Sequence, residues 1–171
     1  MQALIEKAIN SGSWMIRRTN SDGTSYNGFR WNPIGEWTEA PDWNQKPCCG
    51  GGLHGNGPNS TGFWGDGARI DFCIIEDIVD IDGEKIKCRR AMILMSNQLP
   101  DGLSVGGDLC LEGTQITQLP DGLSVGGSLD LRGTQITQLP DGLSVGGYLY
   151  LRGTQLTQLP DGLSVGERII R

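Results

Sequence analysis

The spacing of apolar side chains divides the chain near residue 98. From Gln98 onward the pattern is periodic. It reads QLPDGLSVGGDLCLEGTQIT, then QLPDGLSVGGSLDLRGTQIT from Gln118, QLPDGLSVGGYLYLRGTQLT from Gln138 and a shortened QLPDGLSVGERIIR from Gln158, a period of 20 residues. Within one period Leu119, Leu123, Val125, Leu129, Leu131 and Ile136 fall in short alternating groups. Leu123-Ser124-Val125 and Leu129-Asp130-Leu131 each turn two side chains inward and one outward, which is strand periodicity, and Gln135-Ile136-Thr137 supplies a third extended piece. Turn signals separate the pieces at Pro120-Asp121-Gly122, Gly126-Gly127 and Arg132-Gly133, because Pro fixes φ and Gly accepts positive φ. Three short strands and three corners predict a closed coil, with successive coils stacked about 4.8 Å apart through parallel pairing. One coil's apolar burial does not offset the entropy of ordering its backbone, so each coil needs neighbours and each end needs a cap.

Residues 1–97 have no repeat and are expected to form that cap. Leu4, Ile5, Ala8 and Ile9 share one helical face, and Gly12 is placed to stop the helix. Trp14 to Arg18 reads as a strand followed by a turn at Asn20 to Gly23. Residues 31 to 67, rich in Pro, Gly and Trp, read as a long loop region. Ala68 to Glu76 alternates as a strand, Asp82-Gly83 turns a hairpin between Asp77 to Ile81 and Glu84 to Cys88, and Ala91 to Met95 leads into the first coil.

Leu129-x-Leu131-x-x-Thr134-x-Ile136 resembles the L-x-L-x-x-N-x-L core of the leucine-rich repeat family, and TQITQLP resembles the end of its short bacterial type. That resemblance spans residues 98 to 165 and implies a horseshoe. It departs at Thr134, where the family has Asn or Cys, and at Gly126, where its preceding Leu belongs. The expected fold is therefore a mixed α/β N-terminal cap over residues 1–97 plus a C-terminal parallel β-solenoid over residues 98–171, of three full coils and a truncated fourth. The short bacterial leucine-rich-repeat horseshoe is the alternative. Within residues 23 to 91, NGFRW, EAPDW, GGGLHG and DGEKIKCRRA are similar to an uncharacterised domain of small phage and prophage proteins, some with comparable C-terminal repeats. The resemblance implies a phage setting and no mechanism.

Composition narrows the function classes. Gly, at 27 of 171 residues, is in excess, and 14 of these lie in the repeats as corner residues. The net charge of −6 argues against direct nucleic-acid binding and leaves room for a basic protein partner, including one that itself binds nucleic acid. Five cysteines without a C-x-x-C pair do not form a secreted disulfide framework. With no signal-peptide pattern in Met1 to Asn10 and no long apolar run, the expectation is a soluble, cytoplasmic protein.

The three full repeats differ mainly at Asp108, Cys110 and Glu112, at Ser128, Asp130 and Arg132, and at Tyr148, Tyr150 and Arg152. These positions alternate with inward Leu and so predict one tailored outward face, with drift at exposed positions as the competing reading. A second column, Asp101, Asp121, Asp141 and Asp161, forms an acidic ladder that imitates a phosphate backbone, although turn chemistry before Gly accounts for it more simply.

In the cap, Cys48, Cys49 and His54 suggest a zinc site, completed by Cys73 or Cys88, but adjacent cysteines lack the usual chelating gap. Gly52-x-x-Gly55-x-Gly57 is a weak phosphate cradle. An enzymatic alternative places His54 in an ADP-ribosyltransferase-like site with Tyr26, Trp64 and Glu76, none of them specified by spacing. The carboxylates Asp77, Asp80, Asp82 and Glu84 lack the spacing of a calcium loop. The five Trp serve either a binding face or a core short of aliphatic residues. No cofactor is specified. The leading expectation is a non-enzymatic binding protein, with a possible homodimer through the last coil, where Ile169 and Ile170 follow a truncated repeat.

Overall fold

The computed structural model describes residues 1–25, 28–62 and 67–171. The chain opens with α1 (Gln2–Ser11), which ends at Gly12 in a left-handed conformation with φ 65°. Ile5 and Ala8 are its buried positions. β1 (Trp14–Thr19), β2 (Trp37–Glu39), β3 (Leu53–Gly55), β4 (Arg69–Ile81) and β5 (Lys85–Ser96) form one antiparallel sheet in the order β1-β4-β5-β2, with β3 also pairing β5.

The two long strands correct the sequence reading, which divided them into shorter pieces. Asp77 takes φ 56° in the middle of β4, and the register shifts between Phe72 and Cys73, so the alternation that marks a strand is broken twice along one continuous element. Asp82 and Gly83, both at positive φ, turn the β4–β5 hairpin where Asp-Gly predicts it. β2 and β3 lie inside the region read as loop. Three residues offer too little alternation to signal a strand, and both gain their pairing from the long edge of β5.

From residue 104 the chain is a β-solenoid of stacked parallel strands. β6 (Ser104–Val105), β7 (Leu109–Cys110), β8 (Ser124–Val125), β9 (Leu129–Asp130), β10 (Ser144–Val145), β11 (Leu149–Tyr150), β12 (Ser164–Val165) and β13 (Ile169–Ile170) build two ladders. One runs β12-β10-β8-β6 and the other β13-β11-β9-β7, each residue paired with its equivalent one repeat away. Two ladders per coil, with no helix between them, make a closed β-coil and not a horseshoe with a single ladder. All six aliphatic positions of the second coil are buried, as the alternation requires.

The third expected strand is not one. Around Ile136 the chain makes a single bond to the next coil, from the Gln155 amide to the Ile136 carbonyl at 3.2 Å. Pro140 has no N–H to give, and this side is held by its buried Ile136 and Leu139. Thr134, the departure from the leucine-rich pattern, is buried and turns its hydroxyl back to the Leu131 carbonyl at 2.7 Å, closing the corner from inside.

One apolar core runs through both parts of the chain. Ile5, Trp14, Phe72 and Leu94 pack in the same cluster as Leu103, Leu129 and Leu149. The opposite face of the cap sheet has its own cluster, built from Met15, Trp31, Leu53, Cys73, Ile75 and Cys88. No helix among the described residues is long and apolar enough to cross a membrane.

Candidate functional site

Two regions gather chemistry. The first is the repeat face. Its nine variable residues alternate with buried leucines as expected, but they are not equivalent. The Asp108 carboxylate accepts the Ser128 amide at 2.6 Å, and the Ser128 hydroxyl accepts the Tyr148 amide at 3.1 Å, so these side chains tie one coil to the next. Asp130, expected to face outward into solvent, is only 4% exposed. The Arg132 guanidinium covers it, with Nε 2.9 and 3.0 Å from its two oxygens, and also reaches Glu112 at 3.0 Å. The hydrogen bond and charge of Asp130 hold Arg132 protonated well above its ordinary value.

Tyr150 lies over this cluster, its ring 5.4 Å from Arg132, and Tyr148 packs against Tyr150 at 5.9 Å between ring centres. Tyr148 is 38% exposed, and Arg152 is exposed and makes no ion pair among the described residues. The face therefore presents two tyrosines and an arginine above a locked ion-pair network. Cys110, Glu112 and Asp130 bring their ligand atoms within 4.8 Å of one another, but Arg132 already supplies the cation to both carboxylates. Burial pushes the Cys110 thiol up to about 11. Asp101, Asp121, Asp141 and Asp161 all sit exposed at equivalent Pro-Asp-Gly corners, where the Asp101 carboxylate accepts the Asp121 amide at 3.0 Å.

The second region is a cleft of about 1060 Å³ on the other side of the cap sheet, walled by Arg17, Phe29, Trp31, Pro41, Asp42, the Gly50 to Gly55 segment and Lys85. His54 sits on β3, opposite Lys87 of β5, and not in an open loop as the sequence reading had it. Lys87 is fully buried and fastens the preceding loop, donating to the Asn44 side chain at 3.1 Å and the Gly50 carbonyl at 3.2 Å. Asp42 accepts the Gly52 amide at 3.1 Å. Burial, then the charges of Lys85 and Lys87, push His54 below its ordinary value, which keeps the imidazole neutral.

Among the described residues, Cys48, Cys49 and His54 do not gather into a metal-ligand cluster. Cys48 and Cys49 are exposed, whereas Cys73 and Cys88 are buried thiols pushed up by burial, Cys88 to about 12. Tyr26 and Trp64 lie outside the described residues, and Glu76 is paired with Arg90 at 3.3 Å. Of the tryptophans, Trp14 and Trp31 are core residues, Trp37 and Trp43 are half-buried, and Trp64 again lies outside the described residues.

Arg17 was the residue that sequence reasoning passed over. In Trp14 to Thr19 it shares parity with Met15, on a strand buried on both faces, and a cation at such a position is the available signal. It is 6% exposed, its guanidinium lies 3.6 Å from the Trp31 ring, and its Nε has no hydrogen-bond partner among the described residues. Desolvation lowers its pKa to about 10.

The fold and its presented face define a capped parallel β-solenoid repeat protein. No family model, curated protein or solved structure matches the chain.

Proposed function

We propose that the protein is a non-enzymatic protein-binding scaffold whose contact surface is the Tyr148, Tyr150 and Arg152 patch, with Arg132, Asp130, Glu112 and Asp108 beneath and beside it. The observation that supports this reading is the tilted tyrosine pair, Tyr148 exposed and Tyr150 half-buried, resting on a preformed Arg132–Asp130–Glu112 network. Large, stiff aromatic side chains and arginine concentrate binding energy at protein interfaces. A surface already locked by ion pairs loses little side-chain entropy on association.

The similarity of residues 23 to 91 to a phage domain supports a phage-encoded protein that engages and inhibits a host defence protein in the host cytoplasm. The charge of −6 and the exposed aspartate column support a basic, nucleic-acid-binding partner, competed from its nucleic acid by the acidic ladder.

Capture from bacterial host lysate, followed by mass spectrometry, identifies the partner. Tyr148→Ala combined with Tyr150→Ala is expected to weaken that partner's binding by roughly a hundredfold, the size of a two-residue hot spot. His54→Ala is expected to leave it intact. Loss of function on His54→Ala with full binding by the tyrosine variant would instead establish the enzymatic alternative.

A further inference from the structure

We propose that the cleft between β1 and the Gly50 to Gly55 segment is a binding site for a small organic oxyanion, a molecule bearing a phosphate or carboxylate group, anchored by Arg17. Three polar atoms along this part of the fold are buried without a hydrogen-bond partner among the described residues: Arg17 Nε, Trp31 Nε1 and His54 Nδ1. All three residues line the same cleft. Arginine and tryptophan nitrogens can only donate, so whatever completes them brings acceptors. A buried donor left unmade is costly, and folded proteins leave few of them.

Charge gives the sign of the occupant. Among the described residues, Arg17 and Lys85 line the cleft against one carboxylate, Asp42, which already holds the Gly52 amide. Arg18, next along β1, turns to the opposite face, where its guanidinium donates to the Gly67 and Glu112 carbonyls. Asp71, the carboxylate whose charge acts on Arg17, is engaged by Arg69 at 2.7 Å, by Thr19 and by Ser96. Arg17 itself makes no hydrogen bond or ion pair among the described residues. Its lowered pKa shows that the guanidinium is held at a cost which an anion would relieve.

Size and walls give the rest. At about 1060 Å³ the cleft is far larger than an inorganic ion and lies at the upper end of small-molecule sites. Phe29, Pro41 and Leu53 provide an apolar wall for an organic body. Lys87 and Asp42 hold the glycine segment in place through the Gly50 carbonyl and the Gly52 amide.

Calorimetry on the full chain with adenosine 5′-monophosphate, benzoate, adenosine and sodium sulfate tests this. At least one organic anion is expected to bind with a Kd below about 1 mM and at least roughly tenfold tighter than sulfate. Binding by the nucleotide and not by adenosine assigns a phosphate, and binding by benzoate alone assigns a carboxylate. Arg17→Met, which keeps the apolar stem, should weaken that probe by at least roughly tenfold, the range for a charge-assisted hydrogen bond, with an unchanged or raised melting temperature. Tyr148→Ala with Tyr150→Ala should not alter it, which separates this site from the repeat face. The proposal is overturned if no organic anion binds, if sulfate binds equally well, or if Arg17→Met binds as tightly as the parent. Should Arg17→Met not fold, equal binding of adenosine and its monophosphate would overturn it.

Discussion

At the level of single residues, the glycines of the repeat separate into two kinds that the sequence does not distinguish. Gly122 and Gly133 stand at φ 70° and 66°, where turn chemistry predicts positive φ. Gly126 and Gly127 were expected to serve the same purpose, yet neither takes positive φ. Their requirement is space between coils: a Cβ on Gly146 would lie 2.1 Å from the Gly126 carbonyl oxygen. Backbone has no flexible end to give way, so the coils would have to separate. Gly142→Ala meets no atom within 4 Å and bears only the strain of its φ of 71°. Gly146→Ala is therefore expected to destabilise by about 1–3 kcal/mol more than Gly142→Ala, through overpacking against an unyielding neighbour. Urea unfolding of the two variants measures the difference, and a milder Gly146→Ala would contradict the stacking distance. The Pro-Asp-Gly corners were legible because a conformational need leaves a residue signature. The Gly-Gly corner was legible as glycine but not as to cause, since close approach depends on the neighbouring coil.

Among the elements, the cap works as a substitute coil. The Gly126 amide bonds to the Val105 carbonyl at 2.7 Å, and the Gly106 amide finds the Pro58 carbonyl at 2.6 Å in the corresponding place. Likewise the Gln155 amide meets Ile136, and the Gln115 amide meets the Ala68 carbonyl at 2.7 Å. The first coil thus has backbone partners on its cap side, where an open parallel edge would otherwise stand. That a cap was needed followed from the repeat; that the Pro58 and Ala68 carbonyls supply its bonds did not, because carbonyl oxygens leave no pattern in side chains. The same limit hid the cleft. Arg17, Trp31 and His54 are far apart in sequence and meet only when β1 and β3 are placed against the long hairpin. Phe72 belongs to the apolar cluster that joins cap and coils and is fully buried. Phe72→Ala is expected to cost about 3–5 kcal/mol and to lower the melting of cap and repeats together. Circular dichroism and tryptophan fluorescence should report one shared transition. Repeats that melt separately at the parent temperature would show that the shared core does not couple them.

For the whole molecule, the two ends of the solenoid differ. The cap covers one, while no strand of the described residues lies beyond β12 and β13. Ile169 occupies the inward register, paired with Leu149, yet it is 37% exposed where Leu149 is fully buried. Leu159, Leu163 and Val165 are likewise only partly covered. Among the described residues the last coil thus joins an apolar centre to two strand edges that no further strand pairs, the combination that favours pairing with another chain. Around that centre Glu167, Arg168 and Arg171 are exposed and of both signs. A two-fold arrangement sets the same patch against itself, so Glu167 of one copy can face Arg168 of the other, and the apolar centres meet. We propose a homodimer through this coil, with the Tyr148 and Tyr150 face left open on both copies. Light scattering at micromolar concentration should give twice the 18.5 kDa chain mass. Ile169→Lys should return the mass to that of one chain without changing the circular dichroism of the coils. A parent protein of single-chain mass, or a variant that still pairs, would rule out this interface.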